Sequence, residues 1–414
     1  MKSERRTVKT SVNGYEWPIP VPIGVTLETV RNELLHHGAE YCWLDVLCLR
    51  QHEGSGAKGP MEQMRVMEWE IDVPTIGNVY FGDLKVLRYY NGLGRPFETS
   101  GWESKFHWTN RAWTLQECKR GSITGGLSDE NAEKRSLEEI EDGRYAGLKK
   151  AEFEQSRSYI GISELLEIRA PAHFLQKGDT ALNVTRTACG LFGVLSEMQL
   201  READKDVDKV AGIGFLMSGP AVTLPIFSES IDPEVAWTRC VRNMTPSMRD
   251  ELLFRFPEPG NQNHLWFPSW AQIHKHELPE DPVGPFWYKD MGGHCTSPNS
   301  TTYTYYGYYI EGGNIAGLDV CSRAKRSGVL TIEREGQDPV RFRVSAHHKN
   351  PIPDGRYSLV GRINYSDFVV CSYTPRAPHQ SFMDLEKISV LCMEYVDESK
   401  LKEAGAMGRL CKFI

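Results

Sequence analysis

Short apolar runs separated by breaker residues open the chain, and their spacing predicts its first elements. Tyr15-Glu-Trp17-Pro18-Ile-Pro20-Val-Pro22 is excluded from a regular helix, since each proline lacks a donor and restrains its predecessor, so it reads as an extended lead-in. Thr26 then offers an N-cap, Leu27, Val30 and Leu34 recur at helical spacing, and Gly38 stands where a left-handed residue closes a helix. The run from Tyr41 to Leu49, apolar apart from Asp45, predicts a strand buried on both faces. Met61, Met64 and Glu68-Trp69 suggest a second helix, with Pro74 and Gly77 as breakers. Lys85 to Tyr90 predicts another strand, closed by Asn91-Gly92-Leu93-Gly94. A helix bearing Trp113 and Glu117 follows, stopped by Gly121, and Ile123 opens a further strand. Helices alternating with strands argue for an α/β layer structure with a mainly parallel sheet.

The pattern then changes twice. From Ser128 to Arg157 the chain is rich in charge and poor in large apolar groups, the composition of an exposed and part-helical connection. Leu182 to Leu200, then Val207, Val210 and Phe215, supply helical material, and Asp232-Pro233 and Thr245-Pro246 each place a capping side chain before a proline at a helix start. Trp266-Phe267-Pro268-Ser269-Trp270 is expected to pack at a domain junction. Beyond Pro285 the period becomes two. Thr301 to Ile310, Gly328 to Glu333, Val340 to Val344, Tyr357 to Val360, Phe368 to Tyr373 and Ile388 to Met393 predict an antiparallel sheet or barrel. The expected organisation is an α/β module over 1–126, a charged connection over 127–179, a helical region over 180–278 and a β-rich part over 279–414.

Composition narrows the partners. Lys and Arg number 48 against 55 Asp and Glu, a net charge of −7 without long single-sign blocks, so neither nucleic acid nor an anionic membrane is expected as partner. The start of the chain lacks the apolar core of a secretory signal, and no apolar run reaches the length of a membrane span. Ten cysteines without a Cys-x-x-Cys pair are no disulfide framework; Cys42 and Cys48 read as small buried hydrophobes of a reducing compartment. A soluble, cytoplasmic protein is expected.

Candidate chemistry is concentrated at Arg111-Ala-Trp113-Thr114-Leu115-Gln116-Glu117. On an α-helix residues four apart share a face, which would set the Trp113 indole beside the Glu117 carboxylate with Arg111 on another side. Such a pair either holds and polarises a ring-bearing substrate or is a packed tryptophan with an ion-paired acid. Asp45, inside an apolar run, must find donors or sit at a strand end facing a cleft, as a ligand or as a loop pin. His36-His37, His274-Lys-His276 and His347-His348 lack the spaced partners of a zinc site, and no metal or resident cofactor is expected. Gly92-Leu-Gly94 lacks the spacing of a dinucleotide fingerprint. The tyrosines from Tyr303 to Tyr309 could stack on a carbohydrate or base or pack a sheet face.

Three segments in order, Trp43-Leu44-Asp45-Val-Leu-Cys48-Leu49-Arg-Gln51, Pro74-Thr75-Ile76-Gly77-Asn78-Val79-Tyr80 and Arg111 to Glu117, resemble the fungal heterokaryon-incompatibility (HET) domain. Weaker echoes run through Val207-Asp-Lys-Val-Ala-Gly212, Ala236-Trp237 and Trp266 to Trp270. The resemblance implies self/non-self recognition and programmed cell death triggered by a protein partner or incompatibility factor, with homo-oligomerisation on activation. HET domains are in turn distantly similar to Toll/interleukin-receptor (TIR) domains, some of which hydrolyse NAD with a glutamate four positions after a tryptophan. The resemblance therefore implies a TIR-like, flavodoxin-like sheet and NAD as substrate. It gives Glu117 as the catalytic carboxylate, Trp113 against the substrate or bracing the helix, and Asp45 toward a loop or a ribose hydroxyl, with Arg111 on a phosphate or a structural acid. The earlier aromatic strand with which family members begin is not found here, so an edge of the sheet and part of the pocket are expected to be missing. The alternative is an interaction or signalling module without catalysis.

Overall fold

The computed structural model describes residues 5–52, 59–81, 84–98, 104–117, 123–126, 191–217, 230–261, 264–279, 293–294, 302–320, 325–362, 366–373, 384–394 and 398–414. The charged stretch 128–157 lies outside them. The fold is mixed α/β and divides into two units, 1–236 with 282–285, and 237–281 with 286–414. Among the described residues no helix is long and apolar enough to cross a membrane.

The first unit opens with an antiparallel pair, β1 (Arg5–Val8) and β2 (Ile19–Pro22), so only the end of the proline-rich lead-in is extended and paired, while Tyr15 before it sits in a turn at φ +61°. Helix α1 (Leu27–His36) starts where Thr26 accepts from the Thr29 amide and is followed by Gly38 at φ +74°. Ile19, Val21, Val25, Val30 and Tyr89 form the core here, with Trp17, Val46 and Leu47 packed against it.

The run from Tyr41 to Leu49 is not a strand. Leu44 O accepts from the Leu47 and Cys48 amides, and the chain makes one helical turn, α2 (Asp45–Cys48). A single turn lets Val46 and Leu47 reach the core while Trp17 Nε1 donates to Val46 O. Several of its other residues face outward: Tyr41 is 93% exposed, and Cys42 and Cys48 are exposed rather than buried, whereas Leu49 is buried.

Helix α3 (Pro60–Asp72) runs through a 3-10 turn (Val73–Thr75) into α4 (Ile76–Phe81). Gly77 does not break the helix; a Cβ there would lie 2.1 Å from Phe215 Cγ, so glycine permits α4 to approach Phe215 closely. Strands β3 (Leu87–Arg88) and β4 (Ile123–Thr124) pair in parallel, the one parallel pair among the described residues of this unit. Between them lie two 3-10 turns, Trp108–Asn110 and Trp113–Glu117. Helices α5 (Leu191–Leu200) and α6 (Asp206–Met217) complete the unit, and Gly212 lets α6 sit where a Cβ would be 2.9 Å from Ala112 O.

The division between the units falls within α7 (Pro233–Asn243). In the second unit, α8 (Pro246–Arg255) and α9 (Trp270–Lys275) accompany the strands. Thr245 caps α8 through the Met248 amide, and Ser269 and Gln272 form a reciprocal capping box on α9. Strands β6 (Tyr303–Ala316), β7 (Arg326–Arg334), β8 (Gln337–Ala346), β12 (Lys387–Met393), β10 (Asp367–Ser372) and β9 (Gly355–Gly361) pair antiparallel in that order, and β9 returns to β6. The ring is therefore closed. Two-residue strands β5 (Gly293–His294) and β11 (Asp384–Leu385) and the longer β13 (Met407–Phe413) are added outside it, beside the short helix α10 (Glu398–Glu403).

Alternation is clear in β8, where Val340, Phe342 and Val344 are buried between exposed Arg341 and Arg343. In β6 a register shift between Ile310 and Gly313, with Gly312 at φ +71°, returns both Ile310 and Ile315 to the core. Tyr303, Tyr305 and Tyr309 are buried, whereas Tyr306 is 46% exposed. Trp266 stacks on Tyr303 with centroids 4.6 Å apart, and Trp237 Nε1 donates to Pro268 O at 2.7 Å, so the aromatic segment packs within the second unit.

Candidate functional site

The three segments that carry the family resemblance meet in the first unit. Trp43 of the first lies edge-on to Tyr80 of the second, with centroids 5.9 Å apart. The third is anchored from behind. Asn110 O accepts from the Glu202 amide at 2.6 Å, and the Ala112 amide donates to Glu202 O at 2.8 Å. Arg201, 1% exposed, donates to Arg111 O at 3.0 Å, to Thr114 Oγ1 at 3.0 Å and to Glu197 Oε1 at 3.0 Å. Arg50 of the first segment joins Glu68 at 3.0 Å and Glu16 at 2.9 Å, while its carbonyl accepts from Trp69 Nε1. Much of the motif's polarity thus holds the backbone in place.

Trp113–Glu117 is a 3-10 turn, not an α-helix. At three residues per turn, positions four apart are about 120° out of register, so Trp113 and Glu117 do not share a face. The indole at the acid belongs to Trp108, whose Nε1 donates to Glu117 Oε2 at 2.7 Å. Trp108 is held in turn by Arg88, whose guanidinium lies 4.7 Å from the ring centroid and donates to Glu117 O at 3.1 Å.

Glu117 is half-buried, and Asp45 and Arg111 both act on its charge. Burial pushes its pKa above the ordinary carboxylate value. Arg111 opposes the rise, Asp45 adds to it, and the Trp108 N–H and Arg88 oppose it further. Asp45 is exposed, with Oδ1 accepting from the Val46 amide, so it is a solvent-facing acid at a helix start. Arg111 is half-buried, and among the described residues its guanidinium makes neither a hydrogen bond nor an ion pair.

Of the four candidate residues, Glu117, Asp45 and Arg111 come together, and Trp113 is half-buried in the same turn. Sequence reasoning passed over Trp108, Arg88 and Arg201, whose roles depend on contacts across 9, 29 and 90 positions. No periodicity marks them. Among the described residues no cluster of His, Cys, Asp and Glu could hold a metal ion. The arrangement offers one enclosed acid, one exposed acid and an uncommitted guanidinium, a set able to meet a ligand carrying both cationic and anionic groups. Comparison with protein-family models, with characterised proteins and with solved structures finds no match for the chain.

Proposed function

We propose that the first unit is a HET-type module of TIR-like ancestry that cleaves the nicotinamide–ribose bond of NAD, and that the chain acts in self/non-self recognition and cell-death signalling. The observation that carries this reading is the convergence of Glu117, Asp45 and Arg111 from two of the three HET-like segments. The parallel pairing of β3 and β4 beside them supports the fold analogy.

In the proposed reaction the C1′–N bond of the ribose breaks and its electron pair leaves with nicotinamide, neutralising the pyridinium. The ribose left behind is oxocarbenium-like. The ionised Glu117 carboxylate stabilises that charge and orients a water whose oxygen bonds C1′, taking up the proton that the water releases. The products are nicotinamide, ADP-ribose and one proton. Asp45 contacts a ribose hydroxyl or the cationic ring, and Arg111 a phosphate oxygen. A protein partner, or self-association of the chain, triggers the reaction.

A second reading, binding without catalysis, is favoured by one observation: the Glu117 carboxylate is already engaged by Trp108. Cellular NAD after induced expression separates the two, comparing the parent chain with Glu117→Ala at matched protein levels. The catalytic reading expects NAD loss with the parent and its sparing in the variant. Equal loss in both removes Glu117 from that role, and no loss in either, with self-association of the chain also enforced, supports the binding reading.

A further inference from the structure

Arg5 lies within electrostatic reach of both Arg111 and Arg95. Arg5, at the start of β1, is exposed, and Arg111, Asp204, Asp45 and Arg95 all act on its charge. Among the described residues Arg5, like Arg111, makes neither a hydrogen bond nor an ion pair through its guanidinium. Three arginines drawn into one neighbourhood repel one another, and two acids partly offset them. Partial enclosure, then Arg111, holds the Arg5 pKa below the ordinary arginine value.

The backbone explains why they meet. Arg6 Nη2 donates to Val25 O at 3.0 Å, which docks the start of β1 beside the turn that follows β2. Gly94, at φ +68°, brings the loop after β3 against the same residue; a Cβ there would lie 2.5 Å from Val25 Cγ1. That loop carries Arg95. Gly126, at φ +77°, seals it from the other side, because its Cβ would lie 2.1 Å from Arg95 O. Gly94 and Gly126 therefore fix the backbone on either side of Arg95. Arg111 enters from the turn that Arg201 and Glu202 hold.

We propose that Arg5, Arg95 and Arg111 form an anion subsite that holds the pyrophosphate of a dinucleotide whose glycosidic bond lies at Glu117. The inference rests on the NAD reading for what lies next to the subsite, but the subsite itself requires only a diphosphate. Guanidinium forks match phosphate oxygens, and a dianion removes the repulsion among them. Asp204 and Asp45 limit the excess of positive charge when the subsite is empty, which lowers affinity for a lone phosphate.

The test is direct binding of ADP-ribose and of inorganic pyrophosphate to the full chain, by calorimetry at low and high salt. Arg5→Ala, Arg95→Ala and the double variant are compared, with circular dichroism as the folding control. Each single variant is expected to weaken ADP-ribose at least tenfold, the double variant a hundredfold, and salt to weaken the parent in the same direction. Arg5→Lys, which keeps charge but loses the fork, should fall between. Failure of the parent to bind either probe, or unchanged affinity in folded variants, overturns the subsite. Where NAD is turned over, KM should rise in Arg5→Ala with kcat held, while nicotinamide riboside, which has no phosphate, should be indifferent to the substitution. Binding that depends on Arg5 and Arg95 without any NAD cleavage would retain the subsite and remove the hydrolase reading; cleavage whose KM ignores them would do the reverse.

Discussion

Trp108 Nε1 donates to Glu117 Oε2 at 2.7 Å, tying the acid to a tryptophan nine positions before it. The bond gives the carboxylate a fixed direction and one compensating donor for its burial. Compensation is incomplete, since the pKa of Glu117 still lies above its ordinary value.

Glu117→Gln is expected to stabilise the chain at neutral pH. A carboxyl whose folded pKa is raised favours the native state while protonated, and that contribution is lost as pH climbs from about 4.5 through the folded value. Glutamine keeps an acceptor for Trp108 and carries no charge to bury. The gain should be on the order of 1 kcal/mol at pH 7 and vanish near pH 4, read from urea unfolding at both pH values. A variant less stable than the parent at pH 7 would mean that the charge is well satisfied.

Arg201→Met removes the donors to Arg111 O and Thr114 Oγ1 and leaves Glu197 without this partner. A loss of about 3–5 kcal/mol is expected, the range for breaking one side of a buried ion pair. Hydrogen exchange at the Ala112 amide, bonded to Glu202 O, should rise with it. Protection retained at Ala112 would show that the Glu202 bridge holds the turn alone.

How much of this was legible depends on where the controlling contact lies. The strands of the second unit were readable because alternation at Val340, Phe342 and Val344 reflects a period of two that each residue obeys locally. Thr26, Thr245 and Ser269 cap within three residues, so those helix starts need no tertiary information. The run from Tyr41 to Leu49 misled for the opposite reason. Apolar composition suggests burial, yet the turn hides Val46 and Leu47 and leaves Tyr41 in solvent. At the site, the third segment drew attention to Glu117, Arg111 and, with the first, Asp45. The 3-10 geometry that exchanges Trp113 for Trp108 is imposed by Arg201 and Glu202, from beyond residue 190.

Gly77→Ala should be destabilising by about 1–3 kcal/mol, because its methyl would collide with the Phe215 ring at 2.1 Å. Gly77→Ala combined with Phe215→Ala, which removes the Cγ and Cδ1 atoms it would strike, should recover part of the loss. A melting temperature unchanged in the single variant would show that α4 and α6 slide apart freely.

Asp250 gives the second unit its own pH dependence. It is 5% exposed, accepts from Tyr303 OH at 2.6 Å, and burial pushes its pKa up to about 6 from 3.8. The native state is therefore favoured while Asp250 is protonated, and about 3 kcal/mol is lost between roughly pH 4 and 6. Asp250→Asn, which preserves an acceptor for Tyr303, should flatten that slope in denaturant titrations. An equally steep slope in the variant would assign it elsewhere.

Strand β6 has a consequence for biosynthesis. Its first half, Tyr303 to Tyr309, pairs with Met407 to Phe413, roughly a hundred positions later, while Gly313 to Ile315 pair with Tyr357 to Gly355. A nascent chain on the ribosome can lay down β6, β7 and β8 early, yet the Tyr303–Tyr309 edge stays bare until residue 413 has cleared the exit tunnel. During that interval the growing polypeptide displays an unpaired, tyrosine-rich edge to solvent, the kind of surface that holdase chaperones bind and that premature termination would expose for good.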